Sequence, residues 1–123
     1  VKQVLLVFLG GGLGSSLRFV IGKLLHSTHS DFPYGTFAVN VVGSLLIGMV
    51  LGMALRSDSI SQNTLVFITT GFCGGFTTFS AFAYENQLFL KSGDISSFAL
   101  YTLSSLVIGF AAVFLGVWLA KFL

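Results

Sequence analysis

The chain has 123 residues, 54% of them apolar and only 8% charged, with a formal net charge of +2. Ordinary soluble domains carry about 25% charged residues, so a water-soluble globular domain is excluded, and so small a net charge argues against a nucleic-acid partner. At about 20 apolar residues per helical crossing, the composition reads as one all-α integral membrane domain, residues 1–123, with room for four spans.

The first apolar run covers about residues 4–25. A lysine followed by a hydrophobic stretch has the outline of a signal peptide, but the rest of the sequence holds no soluble domain to export. Gly10 and Gly14 stand at the small-xxx-small spacing that lets helix backbones approach closely, and Arg18 and Gly22 continue that ridge in steps of four. Arg18 has two open readings: it snorkels to the headgroups, or it holds an anion near a pore mouth. The polar connection that follows contains Asp31, Pro33 and both histidines, His26 and His29, which lack a third partner for a metal site and read as solvated loop residues.

The second run, about residues 36–55, carries Asn40, Ser44, Gly48 and Gly52 at four-residue intervals, a single stripe on one helix face. Its glycine end reads as a helix contact. Asn40 brings an amide into the membrane, where polar groups are expensive and mark either an ion path or a bond to a neighbouring helix.

The third run, about residues 64–90, contains the stretch GFCGGFTTFSAF, from Gly71 to Phe82. Adjacent glycines invite a helix break at Gly74-Gly75. Backbone groups freed at membrane depth survive only when buried in protein or lining a wet cavity. A second half-helix starting near Thr77 would aim its positive end into the bilayer, beside carbonyls able to hold a cation. Phe79 and Phe82 share a face next to the break, with Thr78 and Ser80 supplying hydroxyls. Glu85, the only acidic residue within the four runs, is either solvated near the surface or involved in ion or proton movement.

The fourth run, about residues 95–122, sets Tyr101, Ser105 and Gly109 four apart, continues the small-residue ridge through Ala112 and Gly116, and ends near Trp118, which suits an interfacial anchor. With four crossings, Lys2, Arg56 and Lys121 fall on one side and Lys23, Lys91 and Arg18 on the other. That leaves almost none of the asymmetry by which the positive-inside rule orients a chain, so insertion both ways round, and an antiparallel pair of copies, is expected. A single cysteine, Cys73, precludes an internal disulfide. With no nucleophile beside a base, no metal-ligand cluster and no phosphate loop, an enzyme is not expected.

The third-run motif, together with Asn40, Tyr101 and the first-run stretch GGGLGSSLR, closely resembles the CrcB/Fluc family of fluoride channels over the whole chain. The resemblance implies a dual-topology antiparallel homodimer in the prokaryotic plasma membrane, with a third helix broken mid-membrane, two pores, and passive fluoride efflux that protects the cytoplasm. It implies a structural sodium ion on the dimer axis, held by the main-chain carbonyls of Gly74 and Thr77. It maps the pore phenylalanines to Phe79 and Phe82, the pore asparagine to Asn40, the pore tyrosine to Tyr101, and pore hydroxyls to Thr78, Ser80 and Ser105. Arg18 and Glu85 match family positions with less defined roles at a vestibule or pore end. Gly109 stands where a further hydroxyl would extend the track. Two rivals are a proton-coupled exporter of small molecules or of fluoride, for which Glu85 is the sole embedded carboxylate, and a purely structural membrane subunit.

Overall fold

Backbone N–H and C=O groups with no water nearby must satisfy one another, and the apolar runs meet that demand as helices. The computed structural model describes residues 1–123 and contains no strand. Helix α1 spans Lys2–Leu24 and α2 spans Tyr34–Arg56. The third crossing is composite: α3, Gln62–Val66, runs into a π-helix, Phe67–Cys73, then a short α4, Gly74–Phe76, and, after Thr77 and Thr78, α5, Phe79–Ser92. Helix α6, Ile95–Leu119, closes with a 3-10 turn over Ala120–Phe122. Four helical segments, Lys2–Leu24, Tyr34–Arg56, Gln62–Ser92 and Ile95–Phe122, are long and apolar enough to cross a membrane.

The glycine ridges bring backbones together. A Cβ on Gly10 or Gly14 would run into the backbone of Phe67, Phe72 or Phe76, so α1 forms a trough in which the π-helix and α4 lie. On the other side α2 packs along α6: Gly48 abuts Val113, Gly52 abuts Val117 and Ala120, and Gly116 abuts Leu45 and Met49. Large apolar side chains such as Phe8, Phe19, Phe110 and Phe114 are 65–76% exposed around the outside, as a lipid solvent permits.

The interruption does not lie at Gly74-Gly75, where the sequence places it. Gly74 is helical, with φ −62° and ψ −36°. Gly75 serves contact instead, since a Cβ there would strike the Gly11 carbonyl and come within 2.9 Å of Ser15 Oγ. The chain leaves the helix at Thr77 (φ −89°, ψ 160°) and Thr78 (φ −151°, ψ 122°). β-Branched threonines favour such extended backbone, and the Thr78 hydroxyl caps α5 by accepting from the Ala81 N–H at 3.2 Å. At the far end of α5, Gly93 takes the left-handed conformation (φ 79°) that lets Gly93 and Asp94 N–H groups bond back to Leu90 and Phe89 carbonyls.

Candidate functional site

A helix that stops inside a protein leaves carbonyls and N–H groups without intrahelical partners. Around Thr77 and Thr78 these groups are taken up by side chains from two other helices. Asn40, in the middle of α2, accepts from the Thr78 N–H through Oδ1 at 2.8 Å and donates from Nδ2 to the Thr78 carbonyl at 3.1 Å. Arg18 of α1 donates from Nε to the Gly75 carbonyl at 3.0 Å, with Ser15 Oγ at 3.4 Å from the same oxygen. Arg18 is thus half-buried and bonded to the end of α4, an arrangement that neither sequence reading of this residue contains.

Beside the interruption lies an open groove of about 440 Å³. It brings together Asn40, Thr77, Thr78, Phe79, Phe82 and Ser105, with Gly74 and Gly109 on its walls. No charged residue lines it. Phe79 is 78% exposed, and its ring centroid stands 5.8 Å from that of Phe82 at an interplanar angle of 48°, so the two rings are tilted rather than stacked. The hydroxyls of Ser44, Thr69 and Thr77 donate to carbonyls of their own crossings, those of Asn40, Leu65 and Cys73. Ser105 Oγ is buried without a hydrogen-bond partner, which makes it the hydroxyl in the groove with a free hydrogen to offer. Thr78 and Ser80 oxygens stand 3.3 Å apart and share one hydrogen bond, with Ser80 outside the groove lining.

Tyr101 and Glu85 are placed elsewhere. Tyr101 is wholly buried, its ring against Phe82, Phe32 and Phe89, and its hydroxyl donates to Glu85 Oε1 at 2.7 Å. Thr36 donates to Glu85 Oε2 at 2.6 Å. Thr36 is a site residue the sequence reading missed, although it stands one helical step before Asn40 and extends the same stripe. A second cavity, of about 480 Å³, opens behind Thr78 and is lined by Arg18, Lys23, His26 and Thr36; Thr78 therefore borders both spaces.

The carbonyls assigned to sodium pass a chemical test on their bonding. The Thr78 N–H, which would close a helical bond on the Gly74 carbonyl, is diverted to Asn40, and the Thr77 carbonyl receives none of the backbone bonds formed outside the helices. Uncommitted carbonyl oxygens suit a hard cation, and Gly74 is exposed on the open side of the fold, where a second chain has access.

The model of the family described as CrcB-like protein, Camphor Resistance (CrcB), matches residues 5–117. The protein named fluoride-specific ion channel FluC in Gloeothece citriformis is 50% identical over 124 aligned positions, covering 97% of each chain. The protein of that name in Azobacteroides pseudotrichonymphae is 43% identical over 98% of both chains, and that in Phocaeicola vulgatus is 43% identical over 98% of this chain and 99% of its own. A family match of this extent, agreeing with relatives of nearly equal length, means that the chain belongs to the CrcB family.

Proposed function

We propose that this protein is a fluoride-selective channel of the prokaryotic plasma membrane, a multi-pass integral protein that lets fluoride leave the cytoplasm passively. The observation that carries the reading is the uncharged groove beside Thr77 and Thr78, with ring edges, one free hydroxyl and an amide along it. Fluoride holds its water tightly, so a pore has to replace that shell with donors. A fixed positive charge in the path would bind the ion too firmly for conduction. Ring hydrogens carry the positive edge of the aromatic quadrupole, and the tilt of Phe79 against Phe82 leaves such edges free to face an anion. Ser105 and the second Nδ2 hydrogen of Asn40 supply stronger contacts.

The groove is open along one side in a single chain, and a second copy inserted the other way round supplies the missing wall in the dual-topology homodimer, giving two pores. The crossing from Gln62 to Ser92 then has its interruption near mid-membrane. The Gly74 and Thr77 carbonyls of each copy would hold sodium on the axis. When bound, the ion contributes a fixed positive charge and a set of ligands shared by two chains. Thr36 and Tyr101 occupy both oxygens of Glu85, the one embedded carboxylate, so nothing in its bonding favours an exporter that must load and unload a proton there.

The test is reconstitution into liposomes loaded with fluoride or chloride and followed by ion-selective electrodes with no pH gradient imposed. Fluoride efflux without chloride efflux is expected. Vesicles that hold fluoride, release chloride equally well, or need a proton gradient overturn the reading.

A further inference from the structure

The Asn40 carboxamide is bonded to both sides of one residue, and the two bonds fall on different peptide planes. Oδ1 takes the N–H of the Thr77–Thr78 peptide, and Nδ2 gives to the carbonyl of the Thr78–Phe79 peptide. The pairing also fixes the amide's orientation, since the flipped form would set NH₂ against N–H and oxygen against oxygen. A peptide unit is planar, and no peptide bond in the chain is cis. The Thr77 carbonyl therefore points opposite to the Thr78 N–H, directly away from Asn40. Thr77 and Thr78 are both extended and lie outside any helical ladder, so no intrahelical bond governs the rotation of this plane. The Asn40 bond does.

We propose that Asn40 is a positioning residue for the cation at the interruption: by holding the Thr78 N–H across a rigid peptide, it aims the Thr77 carbonyl at the ion on the other side. The inference rests on the reading that the Gly74 and Thr77 carbonyls hold sodium, and it gives Asn40 a task separate from contacting fluoride. Its bond to the Thr78 carbonyl is then the lesser of the two for cation affinity, because that oxygen faces Asn40. Groups that orient a metal's ligands from outside the coordination shell change affinity by about 10–100-fold when removed.

Purified full-length protein in detergent is heated at a series of sodium concentrations, with N-methylglucamine holding ionic strength constant, and the midpoint of the sodium-dependent rise in Tm is read together with the dimer fraction. A ligand bound only to the folded dimer raises Tm by mass action. Asn40→Leu and Asn40→Ser, which pack differently and both lack an acceptor in reach of Thr78, should shift the midpoint upward by about tenfold or more while high sodium restores the dimer. Asn40→Asp keeps the acceptor and should stay near the wild-type midpoint. An unshifted midpoint in Asn40→Leu or Asn40→Ser, a shift in Asn40→Asp equal to theirs, or dimers of both that fail even at saturating sodium each overturns the proposal. Wild-type protein indifferent to sodium removes the sodium reading and this inference with it, whereas responsive wild type with responsive variants removes the inference alone.

Discussion

Tyr101 donates its hydroxyl hydrogen to Glu85 Oε1 at 2.7 Å, joining α6 to α5 across a buried aromatic cluster. With Thr36 on the other carboxylate oxygen, three elements meet at Glu85. The phenol is thereby committed to protein rather than presented to the groove. A hydrogen bond to a charged acceptor contributes about 1.5–3 kcal/mol. Tyr101→Phe should lower the unfolding free energy by about that amount and leave fluoride flux of the same order. Detergent-unfolding curves and electrode traces on one preparation check it; lost flux with unchanged stability would put the hydroxyl in the ion path.

The two rings beside the interruption should behave in the opposite way. Phe79→Ile and Phe82→Ile keep apolar bulk and remove the polarised ring edge, an interaction on the scale of about 0.5–1.5 kcal/mol. Fluoride flux is expected to fall about 3- to 10-fold while the protein still elutes as a dimer. Undiminished flux in both would take the rings out of the pathway.

Glycine positions divide sharply by what surrounds them. Gly14→Ala forces a methyl against the Phe72 carbonyl and the Phe76 N–H, backbone that cannot swing aside. Overpacking of this kind costs about 1–3 kcal/mol. Gly12 has nothing within 4 Å of the same atom, so Gly12→Ala should be neutral or stabilising. Unfolding midpoints of the pair provide the comparison, and equal midpoints would deny α1 its role as a trough.

Asp94 caps α6 from outside the spans, and hydrogen bonds from Ser97, with a further one from Ser96, hold its carboxyl below the usual carboxylate range. A depressed folded-state value means that the cap stabilises fully above the unfolded-chain value and loses its contribution as pH falls through the folded one. Asp94→Asn keeps a good cap and removes the titration. Wild-type Tm should therefore decline faster than that of Asp94→Asn in the acid range, and parallel curves would rule out this contribution.

Orientation is open to a direct test. Lys2, Arg56 and Lys121 oppose Arg18, Lys23 and Lys91, a near balance across the four crossings. A tag at the C-terminus should react with membrane-impermeant reagent from both faces of the cell membrane. Labelling from one face only would eliminate the antiparallel pair.

The four helical crossings were legible from hydropathy alone, and the glycine ridges also announced their contacts, because Gly10, Gly14, Gly48 and Gly116 touch backbone where a Cβ would clash. The groove was partly legible: Asn40, Phe79, Phe82 and Ser105 do converge, and the four-residue stripe would have yielded Thr36 had it been followed one step back. What escaped was set by tertiary partners. Gly74 and Gly75 look like a break and prove helical, since α1 presents Gly11 and Ser15 to the missing Cβ. Thr77 and Thr78 leave the helix because Asn40, far off in sequence, takes the bond that would have continued it. Tyr101 joins the stripe of Ser105 by spacing, yet its hydroxyl is drawn to a carboxylate on α5.

The π-helix from Phe67 to Cys73 has a consequence for how this chain tolerates change in length. Wider turns are the usual trace of one residue more than an α-helix would use over the same rise. Deleting a single residue there would let the segment relax to ordinary α geometry and keep every hydrophobic residue in a helix. Everything after it, from the paired glycines to the two rings, would swing by about 100° about the helix axis. The side chains would survive intact while facing a different neighbour.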